Sequence, residues 1–303
     1  MRFQFPDQTI TVNVPDRPRL LAEVRARLLS GQGFSLATIN LDHLVKLRAS
    51  ASYRQIYAAQ DLIVADGNPI VWLSRLAGLP VSLVPGSDLL RPLLEMAVAD
   101  GIAVAFYGST PAVLAQAALN LNAEMPGLRV VWSGAPAMGF DPTGAEAVSA
   151  LAAMRASGAR LCIISLSAPR QEAFAAFGRT QAPAIGFCGF GAGLDFVAGQ
   201  QTRAPHWMRK LALEWLWRVM SAPRRLIPRY VACVAILPGQ VVGALRQRNA
   251  RALFILDQST SAAQQPVQVV AQGAARLGTT PDHDQHGPEV HRGDARQADD
   301  GGR

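Results

Sequence analysis

The chain of 303 residues holds three cysteines, and none has a neighbour at a pairing or metal-ligating distance. Cys162, Cys188 and Cys233 each sit in an apolar run (LCII, GFCGF, VACVA) and read as small buried hydrophobes of a reducing compartment. A disulfide scaffold and a Cys/His zinc site are thereby excluded. The first ten residues, MRFQFPDQTI, lack a basic segment followed by an apolar core, so no secretory signal is expected. Long uncharged runs are scarce as well. The longest, 230–245, contains Pro238, Gly239 and Gln240, and a spanning helix needs about 20 apolar residues, so the chain is expected not to span a membrane. Acid is nearly missing from one stretch. From Arg203 to Arg251 there are ten basic residues against the single acid Glu214, so that segment carries +9 of a net +7 and the remainder is slightly acidic. Such a segment suits an anionic partner: a phosphate, an acidic headgroup or a nucleic acid.

Half of the residues are hydrophobic and 17% are charged, enough apolar material for a sizeable core. Strand-like segments at 8–14, 34–39, 61–64, 103–107, 128–132, 160–165 and 184–188 alternate with helical patterns at 20–29, 44–59, 70–77, 88–99, 112–123, 143–156 and 171–177. This alternation predicts an α/β fold, a Rossmann-like, mainly parallel sheet flanked by helices. The organisation expected is an α/β domain over 1–200, a basic amphipathic helical appendage over 201–256 that includes a Trp-rich helix at 207–220, and a disordered tail over 257–303.

In parallel sheets ligands gather at the carboxyl ends of the strands, which directs attention to the loops there. Asp66 ends an apolar strand and precedes Gly67; it suits either a turn or a general base that takes a proton from a sugar hydroxyl. Thr38 and Asn40 follow a strand, as turn formers or as ligands for sugar hydroxyls. Gly108, with Ser109-Thr110-Pro111 behind it, forms a strand–turn–helix start, and Gly108 and Asp195 are expected, with Gly189 and Gly191, among the substrate contacts. The glycine-rich turn with Gly189 and Gly191 would let backbone amides approach a diphosphate. That turn leaves a nicotinamide-dinucleotide oxidoreductase open as a rival, although the G-x-G-x-x-G form is absent and Asp195 follows too soon to be a ribose ligand. Glu172, at the start of a helix, is favoured there by the helix dipole. The one Asp-x-Asp triplet, Asp282-His283-Asp284, falls in the polar tail, so no metal site and no cofactor are expected. Arginines would then balance a departing diphosphate, because their planar fork pairs phosphate bidentately. A non-enzymatic basic membrane binder is a second rival. Nucleic acid is disfavoured, since the aromatics belong to an apolar helix and not to a stacking platform.

Ordered motifs then narrow the field. Gly191-Ala-Gly-Leu-Asp195-Phe-Val-Ala-Gly199, Arg203-Ala-Pro205-x-Trp207 and Leu213-Glu214-Trp215-Leu216-Trp217-Arg218 resemble, in that order, the signature of the bacterial WecG/TagA/CpsF glycosyltransferases. Thr38-x-Asn40, Ala65-Asp66-Gly67, Phe140-Asp141-Pro142 and Ala168-Pro169-Arg170-Gln171-Glu172 also stand where that pattern places them. The resemblance covers most of the chain. It implies an inverting, metal-independent transfer from a UDP-sugar to an undecaprenyl-diphosphate-linked glycan, by an enzyme peripheral on the cytoplasmic face of an anionic inner membrane. It makes Asp66 the general base; Thr38, Asn40 and Gln171 sugar or nucleotide contacts; and Arg218, Arg225 and Arg229 the diphosphate ligands of a closing appendage. Where many members carry Glu-Arg-Val, this chain has Ser82-Leu83-Val84 before Pro85-Gly86-Ser87-Asp88, and Asn68-Pro69 follows Gly67. These departures are similar to the exopolysaccharide branch and imply a donor of the UDP-glucuronate or UDP-N-acetylmannosamine type. Self-association as a homo-oligomer is left open.

Overall fold

The structure, a computed structural model, describes residues 1–200, 205, 208 and 214–263. It divides into two units, Met1–Asp257 and Gln258–Arg303, and of the second only the end of a helix is described. The 203–207 motif apart from Pro205, and residues 264–303 of the expected tail, lie outside the described residues.

Six strands form a wholly parallel sheet: β3 (Phe34–Ile39), β4 (Leu62–Ala65), β5 (Val104–Gly108), β6 (Val130–Gly134), β7 (Leu161–Ser165) and β8 (Gly186–Gly189), in the spatial order β4-β3-β8-β7-β5-β6. A separate antiparallel ribbon joins β1 (Arg2–Gln4) to β2 (Thr9–Thr11). The expected α/β fold is therefore present. Alternate residues of each strand feed two apolar layers: Phe34 and Leu36 of β3 enter one core, Ala37 and Ile39 the other. Helices cover both faces, which is why the central strands read as continuous apolar runs. On one face lie α1 (Arg17–Leu29), α5 (Gly86–Ala99), α6 (Pro111–Glu124) and α9 (Gly193–Val197). On the other lie α2 (Leu41–Ala49), α3 (Ala51–Ala58), α4 (Asn68–Leu76), α7 (Ala145–Ala156) and α8 (Arg170–Gln181).

Three expectations are corrected. The single helix expected over 44–59 is two, because Ser50 takes an extended conformation (φ −136°, ψ 118°), ends α2 and caps α3 by accepting Tyr53 N–H at 3.1 Å. Strand β6 lies two residues further along than 128–132, an edge strand with little burial contrast to mark it. Lastly, Pro238, Gly239 and Gln240 do not interrupt the apolar run. After α10 (Glu214–Ser221), one helix, α11, runs from Pro223 to Ala263 through Pro228 and Pro238. Its segment Leu226–Ala252 is long and apolar enough, by length and composition, to cross a membrane.

Helix α11 nonetheless lies along the α/β body. Ala244 is fully buried and Ile236 packs on the core beneath α2 and α4. Arg229 Nε meets Asp42 Oδ1 at 2.8 Å, and Gln247 exchanges hydrogen bonds with both backbone groups of Arg2. The opposite side exposes Ile227, Val231, Val234, Val241, Val242 and Leu245.

Candidate active site

The chain leaves β3 toward the face carrying α2 and leaves its neighbour β8 toward the face carrying α9. Adjacent strands whose loops part in this way open a crevice at the carboxyl edge of the sheet. Three of the expected residues meet there. Thr38 is the last but one residue of β3, Asn40 caps α2, and Asp66 follows β4, tied by its N–H to Ile39 O at 2.8 Å. Thr38 Oγ1 and Asn40 Nδ2 both donate to Asp66 Oδ2, at 3.4 and 3.5 Å. The Tyr57 hydroxyl holds the floor by donating to Thr38 O at 2.8 Å, and burial pushes its ionisation well above the ordinary tyrosine range. Gly67, at φ 137°, turns the chain sharply from Asp66 into α4, a conformation few side-chain-bearing residues adopt. The start of α5 closes this side: a Cβ on buried Gly86 would touch Phe190 and Thr38.

A second group forms across the crevice. Asp195 accepts from Ser109 Oγ at 3.0 Å and from Ser165 Oγ at 3.1 Å, so its two carboxylate oxygens tie α9 to the carboxyl ends of β5 and β7. Ser165 Oγ also lies 2.5 Å from Gly191 O, so its single O–H is shared between that carbonyl and the Asp195 carboxylate. Gly108 (φ 116°) packs against the Ser165 carbonyl so closely that any Cβ would overlap it.

Between the two groups stands Gln171. It is 5% exposed, accepts Gly191 N–H on Oε1 at 2.9 Å and donates through Nε2 to Glu172 Oε1 at 2.7 Å. The glycine-rich turn is largely satisfied from within: Phe190 N–H donates to Ile164 O, Gly193 N–H to Phe190 O, and Gly191 N–H to Gln171. Gly189 and Gly191 thus serve close packing and a left-handed turn (Gly191 φ 54°), with Gln171 filling the space beside Gly189.

Of the three expected diphosphate ligands, Arg229 is seen at the lip of the crevice, where Asp42 also holds Lys46 Nζ at 2.8 Å. The Arg218 and Arg225 side chains lie outside the described residues. Among the described residues no group of three His, Cys, Asp or Glu side chains converges as a metal site.

The structure adds residues that the sequence reading missed: Ser109, Ser165, Asp42 and His43. His43 had a local signal. It stands three residues after Asn40, the spacing of a reciprocal helix cap, and the structure closes that cap: His43 N–H donates to Asn40 Oδ1 and Asn40 N–H to His43 Nδ1, both at 3.2 Å.

A family model described as "Glycosyl transferase WecG/TagA/CpsF family" matches residues 8–252 of this chain.

Proposed function

Because the chain belongs to the WecG/TagA/CpsF glycosyltransferase family, and is thus a glycosyl-transferring enzyme, we propose that the crevice takes a UDP-sugar and a lipid-diphosphate-linked glycan and joins them by one inverting displacement. The observation that carries this reading is the cluster at the ends of β3 and β4. Two side-chain donors share one oxygen of Asp66 at the carboxyl edge of the sheet, which fixes the direction of that carboxyl. In the reaction the acceptor hydroxyl oxygen attacks the anomeric carbon while its proton passes to the Asp66 carboxylate. The bond from the anomeric carbon to the diphosphate breaks, UDP leaves with the electron pair, and the configuration at that carbon inverts. Asp195, held on both oxygens by serines, is placed to brace the loops on the donor side. The proposed ligands of the leaving diphosphate are Arg218, Arg225 and Arg229, which take the role a cation would otherwise have.

The acceptor is an anionic lipid, and α11 supports placing the enzyme on the inner face of the cytoplasmic membrane. The helix pairs an exposed apolar stripe with Arg224, Arg246 and Arg248. Its attachment to the body through Ala244, Arg229 and Gln247 fits a helix lying on the bilayer better than one crossing it. The departures at 82–85 favour a glucuronate or N-acetylmannosamine donor in exopolysaccharide assembly.

UDP release from a panel of UDP-sugars, with a lipid-diphosphate-linked glycan present and EDTA added, tests the reading. Release with one donor that survives EDTA and is lost in Asp66→Asn, by about 100-fold or more, is the expected result. An Asp66→Asn protein with ordinary turnover removes the base assignment, and full inhibition by EDTA removes metal independence.

A further inference from the structure

Glu172 is the residue around which both walls of the crevice are hung. A carboxylate in the first turn of a helix is ordinarily held at the surface by the helix dipole. This one, in the first turn of α8, is 2% exposed and turned into the protein. Burial, opposed by the hydrogen bond from Gln171, pushes the Glu172 carboxyl above the usual glutamate range. The Tyr53 hydroxyl faces this carboxyl, while Oε1 receives Gln171 Nε2 at 2.7 Å and lies 3.5 Å from His43 Nε2.

Each of these two neighbours carries the contact to one wall. The His43 ring accepts the Asn40 N–H on Nδ1, so the neutral ring keeps its proton on Nε2, facing Glu172. Asn40 is in turn oriented by His43 N–H and donates to Asp66. On the other side Gln171 holds Gly191 N–H, at the turn after β8. One buried oxygen therefore joins the loop after β3 to the loop after β8, the two that part to form the crevice.

Stability alone does not account for this arrangement. A carboxyl buried this deeply costs folding free energy that an apolar side chain of similar volume would not. We propose that Glu172 and His43 are positioning residues, which set the direction of Asn40 toward the Asp66 carboxylate and of Gln171 toward the donor-side turn. The inference rests on Asp66 being the base. No proton passes along the path, because it runs through the amide N–H groups of Asn40, which do not exchange protons in a turnover. Asp42, Lys46 and Arg229 also face His43, and Tyr53, Tyr57 and Lys46 face Glu172, so the hub sits inside a charged surround that leaves its geometry as its contribution.

The test compares wild type, Asp66→Asn, His43→Asn, Glu172→Leu, Glu172→Gln and the His43→Asn/Glu172→Leu double variant, with unfolding midpoints and near-ultraviolet circular dichroism to confirm folding. Asparagine keeps an acceptor near the place of Nδ1 but cannot reach Glu172. His43→Asn is expected to lose about tenfold or more in kcat, to leave the donor KM within about twofold, and to move the acidic limb of the kcat–pH profile upward as Asp66 loses its aligned donor. Glu172→Leu shows the same losses and also a raised donor KM, because Gln171 is released with it. Glu172→Gln, which keeps the Oε1 acceptor, restores kcat to within about threefold of wild type. The double variant is no worse than the poorer single variant, since one unit is broken twice. Folded His43→Asn with wild-type kcat and an unmoved acidic limb overturns the proposal, as do fully additive losses in the double variant. If Glu172→Leu does not fold, His43→Asn decides alone. Equal turnover by wild type and Asp66→Asn removes the base assignment and the hub with it, whereas an inactive Asp66→Asn beside unaffected hub variants removes the hub only.

Discussion

Acid should unfold this protein through His43, and the size of the effect follows from where the ring sits. Burial holds its ionisation down from 6.5 to about 3, with Asp42 opposing and Lys46 and Arg229 assisting. Between those two values the unfolded chain binds a proton that the folded chain refuses, so stability falls as pH falls. The slope reaches at most about 1.4 kcal/mol per pH unit, and the full span is worth about 5 kcal/mol, a large share of the 5–15 kcal/mol that typically holds a domain together. Glu172 works against this. Its raised ionisation means that the folded state takes up a proton before the unfolded state does, which relieves a penalty as pH falls toward 4.5. The two effects partly cancel above pH 4.5, and the His43 slope stands alone below it. Urea unfolding at a series of pH values from 7.5 to 4, on wild type, Glu172→Gln and Glu172→Gln/His43→Asn, reads the slope. Glu172→Gln should expose the full histidine dependence from about pH 6.5 downward, and the added His43→Asn should flatten it. Identical slopes with and without His43 would refute the reasoning.

Two further outcomes follow from named contacts. Gly108→Ala, which sets a Cβ against the Ser165 carbonyl at a φ of 116°, should destabilise by about 2–3 kcal/mol, read as a lowered urea midpoint, and should cut activity as the Ser165–Asp195 contact shifts. Replacing Ile227, Val231 and Val234 together by serine removes about 1 kcal/mol of apolar burial at each position, so partitioning onto anionic vesicles should drop roughly 100-fold with folding unchanged; unaltered vesicle binding shows that the stripe faces something other than lipid.

The sheet was legible because its strands are buried on both faces and announce themselves as apolar runs, Leu161–Ser165 most clearly. The break at Ser50 was hidden, since helical periodicity continues on both sides and only the backbone angles of one residue separate α2 from α3. Helix α11 misled for a different reason. Pro238 read as an interruption, yet it and Pro228 lie on the exposed side, where water can meet the carbonyls that proline leaves without a partner. In the crevice, Thr38, Asn40 and Asp66 could be found from their places at strand ends. Glu172 was visible only as a favourable charge at a helix start: whether a side chain turns outward to water or inward to a histidine on another helix depends on packing between segments far apart in the chain, and spacing does not record it. The glycine-rich turn shows the same limit in reverse. Its composition offers backbone amides to a ligand, but those of Phe190, Gly191 and Gly193 are engaged by Ile164, Gln171 and Phe190 itself.

Strand β8 is the last of the sheet to be made and the one that sits in its middle, between β3 and β7. On a growing chain, β3 with β4 and β5 with β6 and β7 are two part-sheets with bare inner edges, each a template for pairing with the wrong partner until residues 186–189 arrive. The keystone is small: four residues, two of them glycines, and a Cβ on Gly186 would overlap the Phe34 ring. A nascent chain halted short of it carries Asp66, Thr38 and Asn40 complete, but has no opposite wall to set against them. The order of synthesis thus withholds the crevice until the α/β body is nearly finished.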